Sequence, residues 1–348
     1  MNSFKLSKSV FVLLIIYSQT ATGQNIDVAA TTTVPESLQY SGSYSSGNYV
    51  WGGAMNLAWN ELTTNLIKDK IKTVTTDPVA LSLVNQFNNS SFTKKDLDLK
   101  SYYIKSGFGQ KTADEINKET SKRFPSQSFS GLAGNFGDRD MIAYAYFSKM
   151  VFYPIPFTET ETTFEGEQVM GFYAWKHKER NNVRIIKYNS DERFIVCLKL
   201  KEDSDQLILA KGYKMTDPEM VINTINQNLE KEPDYLESVD NFVAPKLNLD
   251  HHRDYIELIN KQLANDGYEN FRIGQMFENI IFTLDEKGAK AENVGIIIPE
   301  PVSFDPGVHP RHFELNKPFW VVMKRMGSKD PYFILGVNNS LFMEKVKK

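Results

Sequence analysis

The sequence predicts an α+β protein, and three observations predict it. Strand-like segments outnumber helix-like ones and come in consecutive groups, which a regular β-α-β repeat would not produce. Helical periodicity is confined to four segments. No Pro/Gly-rich linker, heptad pattern or internal repeat divides the 348 residues, so one continuous domain over 24–348 is the expectation.

The four helix candidates follow in order. Over 54–71, Met55, Trp59, Leu62, Leu66 and Ile71 recur near helical spacing. Over 112–124, Thr112 and Glu115 form a capping-box pattern, with Ala113, Ile116 and Phe124 on one face. A third starts at Thr216, with Glu219 three residues on and Ile222, Ile225 and Leu229 inward. The fourth runs over 250–265, capped by Asp250, striped by Ile256, Ile259 and Leu263, and stopped at Gly267. Strands rich in β-branched and aromatic residues are expected over 141–147, 168–175, 183–188, 193–200, 206–211, 241–247, 277–284, 318–324 and 332–337.

Residues 1–23 read as a signal peptide. Lys5 and Lys8 precede the apolar run Val10 to Tyr17, and Ala21-Thr-Gly23 offers small residues for cleavage. That run is shorter than the ~20 apolar residues that span a bilayer, so an exported chain with no membrane anchor after cleavage is expected. It would be extracellular, or periplasmic in a bacterium. Removing Lys5 and Lys8 from the 40 basic residues leaves 38 against 43 acidic ones. Such mild acidity supplies no footprint for nucleic acid. With 41% hydrophobic and 12% aromatic residues, the chain can fill a large core. It must do so without a disulfide, because Cys197 is the one cysteine; within Phe194–Leu198 it reads as a small buried hydrophobe. Asn88, Asn89 and Asn338 lie in N-x-Ser sequons, which matter in a eukaryotic host.

Catalytic constellations are lacking. The five histidines are His177, His251, His252, His309 and His312, and no metalloprotease, nucleophile-elbow or phosphate-loop motif occurs. His309 and His312 lie among prolines that disfavour a helix, and a zinc site needs three or four convergent ligands. Asp250 reads as a cap, and the acidic stretch Glu159–Glu167 as a solvated strand or turn. No enzyme activity, metal or cofactor is expected.

The order of segments then points to a family. Met141-Ile-Ala-Tyr-Ala-Tyr-Phe147, followed by Pro156, Phe157, Thr160 and Phe164, resembles the serpin strand that leads to a Phe-Thr-Phe ladder. Ala143 stands at the strand's usual Asn and Val151 at the usual Trp. Ala113-Asp-Glu-Ile-Asn117 with Thr120 is similar to the serpin helix bearing an Ile-Asn pair. Phe194–Leu200 and Phe242-Val-Ala-Pro245-Lys-Leu-Asn-Leu249 resemble later strands. At the carboxy terminus, Ile280-Ile-Phe-Thr-Leu-Asp-Glu-Lys-Gly288 resembles the strand and hinge entering a reactive loop. Leu315-Asn-Lys-Pro318-Phe-Trp-Val-Val-Met323 and Tyr332-Phe-Ile-Leu-Gly336 resemble the closing strands. The resemblance covers roughly 110–348; residues 24–109 form a divergent helical amino-terminal part.

The resemblance implies large mixed or antiparallel sheets, several helices and a long reactive loop over 288–312. It also implies a function: suicide inhibition of a serine or cysteine protease by a monomer. The cleaved loop would insert as a strand, so every second residue must fit a buried face. From the hinge Gly288, one phase is Ala289, Ala291, Asn293 and Gly295, small or modest residues. The other begins with Lys290 and Glu292. Asn293 would need hydrogen-bond partners or cost roughly 1–3 kcal/mol. Counting from the hinge puts the scissile bond at Val302-Ser303; counting back from Pro318 puts it nearer Gly307, and Arg311 offers a trypsin-like register. A non-inhibitory carrier of the same fold and an unrelated secreted α+β interaction module are the alternative readings.

Overall fold

The computed structural model describes residues 32–33, 40–45, 47–124, 132, 134–274, 276–288 and 309–346. The chain gathers into two compact units, one of Gly53–Ser148 with His252–Asn279, the other of Val28–Gly52, Lys149–His251 and Ile280–Lys348.

In the first unit, the helix Ala54–Glu61 continues as a π-helical stretch, Leu62–Ile67, and stops at Lys68 in a left-handed conformation, φ 58°. Helix Pro78–Asn89 starts on Asp77, whose carboxylate accepts hydrogen bonds from Val79 N at 3.0 Å and Ala80 N at 3.4 Å. Pro78 at the first helical position needs no such partner. Trp59 stacks on Phe87 with ring centroids 5.0 Å apart, and its indole N–H donates to Asn88 Oδ1. The Asn88 amide also donates to Ile71 O. Helix Gly109–Arg123 buries Ala113, Ile116 and Thr120. It packs on the antiparallel pair Tyr102–Phe108 and Met141–Phe147, where Ile142, Tyr144 and Tyr146 complete a shared core. Asn117 fixes the chain after this helix by bonding both N–H and C=O of Leu132.

The second unit is organised by a nine-stranded sheet. Its order is Thr32–Thr33, Ser43–Ser45, Asn48–Gly52, Phe333–Val337, Phe319–Arg325, Asp205–Lys211, Arg193–Leu198, Val183–Ser190 and Asp234–Tyr235. Every pairing in it is antiparallel. All seven residues of Asp205–Lys211 and all five of Phe333–Val337 are buried. Strands covered on both faces lose the apolar-polar alternation, which is why Leu207–Ala210 and Phe333–Val337 read as continuous apolar runs. A four-stranded sheet has the order His312–Glu314, Asn241–Pro245, Glu167–Tyr173 and Thr158–Phe164, with its first pair parallel. Helix Pro218–Asn228 buries Val221, Ile222 and Ile225.

Leu247–Asp254 and Phe277–Leu284 form a two-stranded sheet. In the strand order of the described residues each has the other as its one neighbour, and Met141–Phe147 has Tyr102–Phe108 as its own.

The helix expected over 250–265 is instead the end of a strand followed by turns. Leu247–Asp254 alternates strictly between buried and exposed positions. Its inward residues include His251 and Arg253, and polar groups on the inner face disguise the two-residue period. Asp250 therefore faces out of a strand and caps nothing, and Ile256, assigned to an apolar stripe, is 72% exposed. The helix expected to start at Thr216 is capped by Asp217, which accepts from Met220 N at 2.8 Å. The helix expected from 112 starts earlier, at Gly109, so Thr112 is not its cap; its hydroxyl donates to Phe108 O within the first turn. Helix Pro78–Asn89 and strand Tyr102–Phe108 were not among the expected elements.

In the nine-stranded sheet Gly336 lies opposite Trp320. A Cβ there would sit 3.0 Å from the Trp320 ring and 3.1 Å from Tyr49 Cβ. Gly336→Val is expected to lower stability by about 1–3 kcal/mol through overpacking, read as a lower urea midpoint at unchanged slope.

Candidate functional site

The strand Phe277–Leu284 ends in a turn that fixes the root of the segment 289–308. Asp285 closes it: Oδ1 accepts from Lys287 N at 2.8 Å and Gly288 N at 3.1 Å, and Asp285 N donates to Gly288 O at 2.9 Å. The turn is pinned along Val151–Phe157. Tyr153 N donates to Lys287 O at 3.0 Å and Phe157 N to Glu286 O at 2.7 Å, while Gly288 bridges Phe152. Gly288 has φ 133°, and a Cβ there would lie 2.2 Å from Val151 O. Both the conformation and the approach of backbone to backbone demand glycine. Where the resemblance sets a Trp, Val151 offers its carbonyl to this contact.

Behind the turn, Tyr153, Phe157, Phe172 and Phe242 form an aromatic cluster with centroid separations of 4.8 Å (Tyr153–Phe157), 5.4 Å (Phe157–Phe172) and 5.7 Å (Phe157–Phe242). Beside it, the Lys246 ammonium sits 2.8 Å from Glu286 and 3.0 Å from Glu159, all three side chains about one-tenth exposed. Burial is the largest single influence on Glu286 and opposes its ionisation, but the paired Lys246 ammonium, a backbone hydrogen bond and the charge of Lys287 together outweigh it and hold the carboxyl below its ordinary value. Burial likewise opposes the charge on Lys246, and the two carboxylates raise it above its ordinary value. Asp285 moves the other way, because burial dominates. Burial, with Asp285 and Glu286 adding to it, pushes the Tyr153 phenol far up, so it stays neutral.

The far end of the segment is moored by Arg311. Its guanidinium contacts Asp240 Oδ2 at 2.7 Å through Nη2 and Asp234 Oδ2 at 2.8 Å through Nη1. Its backbone N–H donates to Asp240 Oδ1 at 2.9 Å. The next residue donates His312 N to Asp191 Oδ1 at 3.0 Å. A protease reading arginine needs that side chain free in an extended loop, so Arg311 is not available as the trypsin-like register. His312 Nδ1 faces Asn241 Oδ1 at 3.1 Å, and His309 is exposed.

Of the hinge residues expected from the sequence, Gly288 is the one among the described residues, and it closes this turn. Ala289, Ala291, Asn293, Gly295, Val302, Ser303 and Gly307 lie outside the described residues, as does the signal-peptide segment 1–23. Lys246, Glu286, Asp285, Asp240 and the clamp on Arg311 escaped the sequence reading. Glu159, assigned to a solvated stretch, is instead an ion-pair partner within the strand Thr158–Phe164. The one available signal was Lys246 interrupting an apolar strand, where a charge needs a partner. Cys197, expected to be buried, is half-buried, and its surroundings push its thiol up to about 11. Among the described residues, no group of three or more His, Cys, Asp or Glu is gathered to hold a metal, and no helix is long and apolar enough to cross a membrane.

No protein-family profile and no curated protein matches the chain. Solved structures do. The mouse protein-Z-dependent protease inhibitor aligns with a TM-score of 0.50 at 13% identity, covering 84% of this chain and 91% of its own. Serpin48 of the insect Tenebrio molitor aligns at 0.49 and 11%, covering 83% and 91%. Human thyroxine-binding globulin aligns at 0.42 and 12%, covering 66% and 64%. The fold is serpin-like, α+β with several sheets and few helices.

Two substitutions test the loop root. Glu286→Gln keeps the shape and removes one charge from Lys246, and is expected to cost about 2 kcal/mol at neutral pH. Because Glu286 titrates below its ordinary value, its contribution is complete above that value and fades as pH falls through the depressed one. Urea melts of wild type and variant should therefore converge in acid. Gly288→Ala is expected to cost at least about 2 kcal/mol from backbone overlap, measured by the same melts.

Proposed function

We propose that the chain is an exported, serpin-like inhibitor of a serine or cysteine protease that works as a monomeric suicide substrate. The observation that carries this reading is the fixed pair of ends: the segment 289–308 leaves a strand at Gly288 and rejoins the fold at Arg311. A chain moored at both ends can be offered to a protease while neither end slips. Support comes also from Phe277–Leu284, which has one strand neighbour among the described residues. On this reading its other edge receives the added strand, the pairing mode by which extended segments join a sheet.

Cleavage at Val302-Ser303 would release the amino-terminal part of the segment. Ala289, Ala291, Asn293 and Gly295 would then turn inward as the freed strand enters the sheet, with Lys290 and Glu292 outward. The acyl-enzyme would be carried along and distorted before water completes hydrolysis. Speed decides the outcome: insertion must outrun deacylation.

The test is incubation with elastase-, chymotrypsin- and trypsin-like enzymes and with a cysteine protease, followed by denaturing electrophoresis and thermal melting. A detergent-stable covalent band and a large rise in melting midpoint after cleavage are expected. Clean cleavage across the panel with an unchanged midpoint would overturn inhibition and leave a static binding scaffold of the same fold.

A further inference from the structure

One buried acid takes no part in the mechanism above. Glu278 lies on the inner face of the strand Phe277–Leu284 and is 2% exposed. Its Oε1 accepts a hydrogen bond from the Tyr255 hydroxyl at 2.6 Å, while its Oε2 has no hydrogen-bond partner among the described residues. A carboxylate in such a place is held by one hydroxyl and little else, and charge is costly there.

Among the described residues, the neighbouring strand and the residues just after it bring charged and titratable groups to it, and the inner face of that strand also carries His251, 6% exposed. Arg253, 2% exposed, lies with its guanidinium 4.4 Å from the Tyr255 ring centroid and ion-pairs with Glu257 at 3.3 Å. His252 points to the other face and pairs with Asp254 at 3.2 Å. Burial raises the Glu278 carboxyl to about 7, against the opposing pull of the Tyr255 hydrogen bond and the charges of Arg253 and His252. Tyr255 itself is pushed far up by burial and stays a neutral donor.

We propose that Glu278 is a proton-operated lock on the strand pair Leu247–Asp254 and Phe277–Leu284. Protonated, the carboxyl is a neutral core group that holds the pair together; ionised, it is a buried charge that loosens it. The sign follows from linkage. A carboxyl whose folded value lies above its unfolded value binds its proton more tightly in the folded state. Stability is therefore greatest in mild acid and falls as pH rises from the unfolded value through the folded one. On the reading under Proposed function, the same strand leads into the hinge, so loop insertion would run faster above neutrality than below it. That consequence rests on the inhibitor reading; the pH-dependent stability does not.

The experiment is thermal melting of the intact chain from about pH 5.5 to 8.5, with no protease present. The wild-type midpoint is expected to fall by roughly 2–4 °C per pH unit across neutrality. Glu278→Gln is neutral throughout, and is expected to flatten that slope and melt above wild type at the alkaline end. Tyr255→Phe removes the donor that favours the ionised form, and is expected to move the transition to higher pH. A wild-type slope retained in Glu278→Gln would overturn the proposal. Should that variant not fold, a Tyr255→Phe profile superposable on wild type would overturn it instead.

Discussion

The second unit depends on one ammonium. Lys246, at the start of the strand Leu247–Asp254, is held between Glu159 and Glu286 and so joins three segments far apart in sequence. Each of those side chains is nearly buried, where an unpaired charge is expensive and a paired one is directional. The pairing fixes the height of the Asp285–Gly288 turn, which in turn sets where the segment 289–308 begins. Two backbone hydrogen bonds from Tyr153 and Phe157 then complete a junction that tolerates no side chain at Gly288.

The chain does this without covalent help. With one cysteine, stability must come from packing, and the nine-stranded sheet supplies it through strands buried on both faces. Aromatic residues carry a large share. Tyr153, Phe157, Phe172 and Phe242 pack edge-on or tilted behind the turn, in the arrangements that ring quadrupoles favour. Several charges inside the fold meet partners: Asp205 meets Lys149 at 2.6 Å and Tyr332 at 3.1 Å, and Glu179 accepts the Trp175 and Lys176 backbone N–H groups.

Much of the fold could be read from the residues alone. Apolar runs such as Phe194–Leu198 and Phe319–Met323 announce interior strands because nothing else buries so many β-branched and aromatic side chains in a row. Gly288 was picked out by the resemblance of Ile280–Gly288 to a strand and hinge, and the turn it closes needs its positive φ. The polar inner face of Leu247–Asp254 was not legible. Histidine and arginine at inward positions make a period of two look like noise, and the apolar residues just beyond invite a helix. Glu159 and Lys246 also stayed hidden, since ion pairing between distant segments leaves no local pattern. The Arg311 clamp is of the same kind: Asp240 and Asp234 look like ordinary surface acids until the chain returns to them.

The strand order of the large sheet has a consequence for a molecule cut between residues 288 and 309. The piece downstream of the cut contributes Phe319–Arg325 and Phe333–Val337, which lie in the interior of the sheet between Asp205–Lys211 on one side and Asn48–Gly52 on the other. It is sewn in by two full ladders of backbone hydrogen bonds and tied at its upstream end by Arg311. A nick therefore does not shed the carboxy-terminal fragment. The two polypeptides travel as a single particle through a sizing column and part company only once the sheet itself is dissolved.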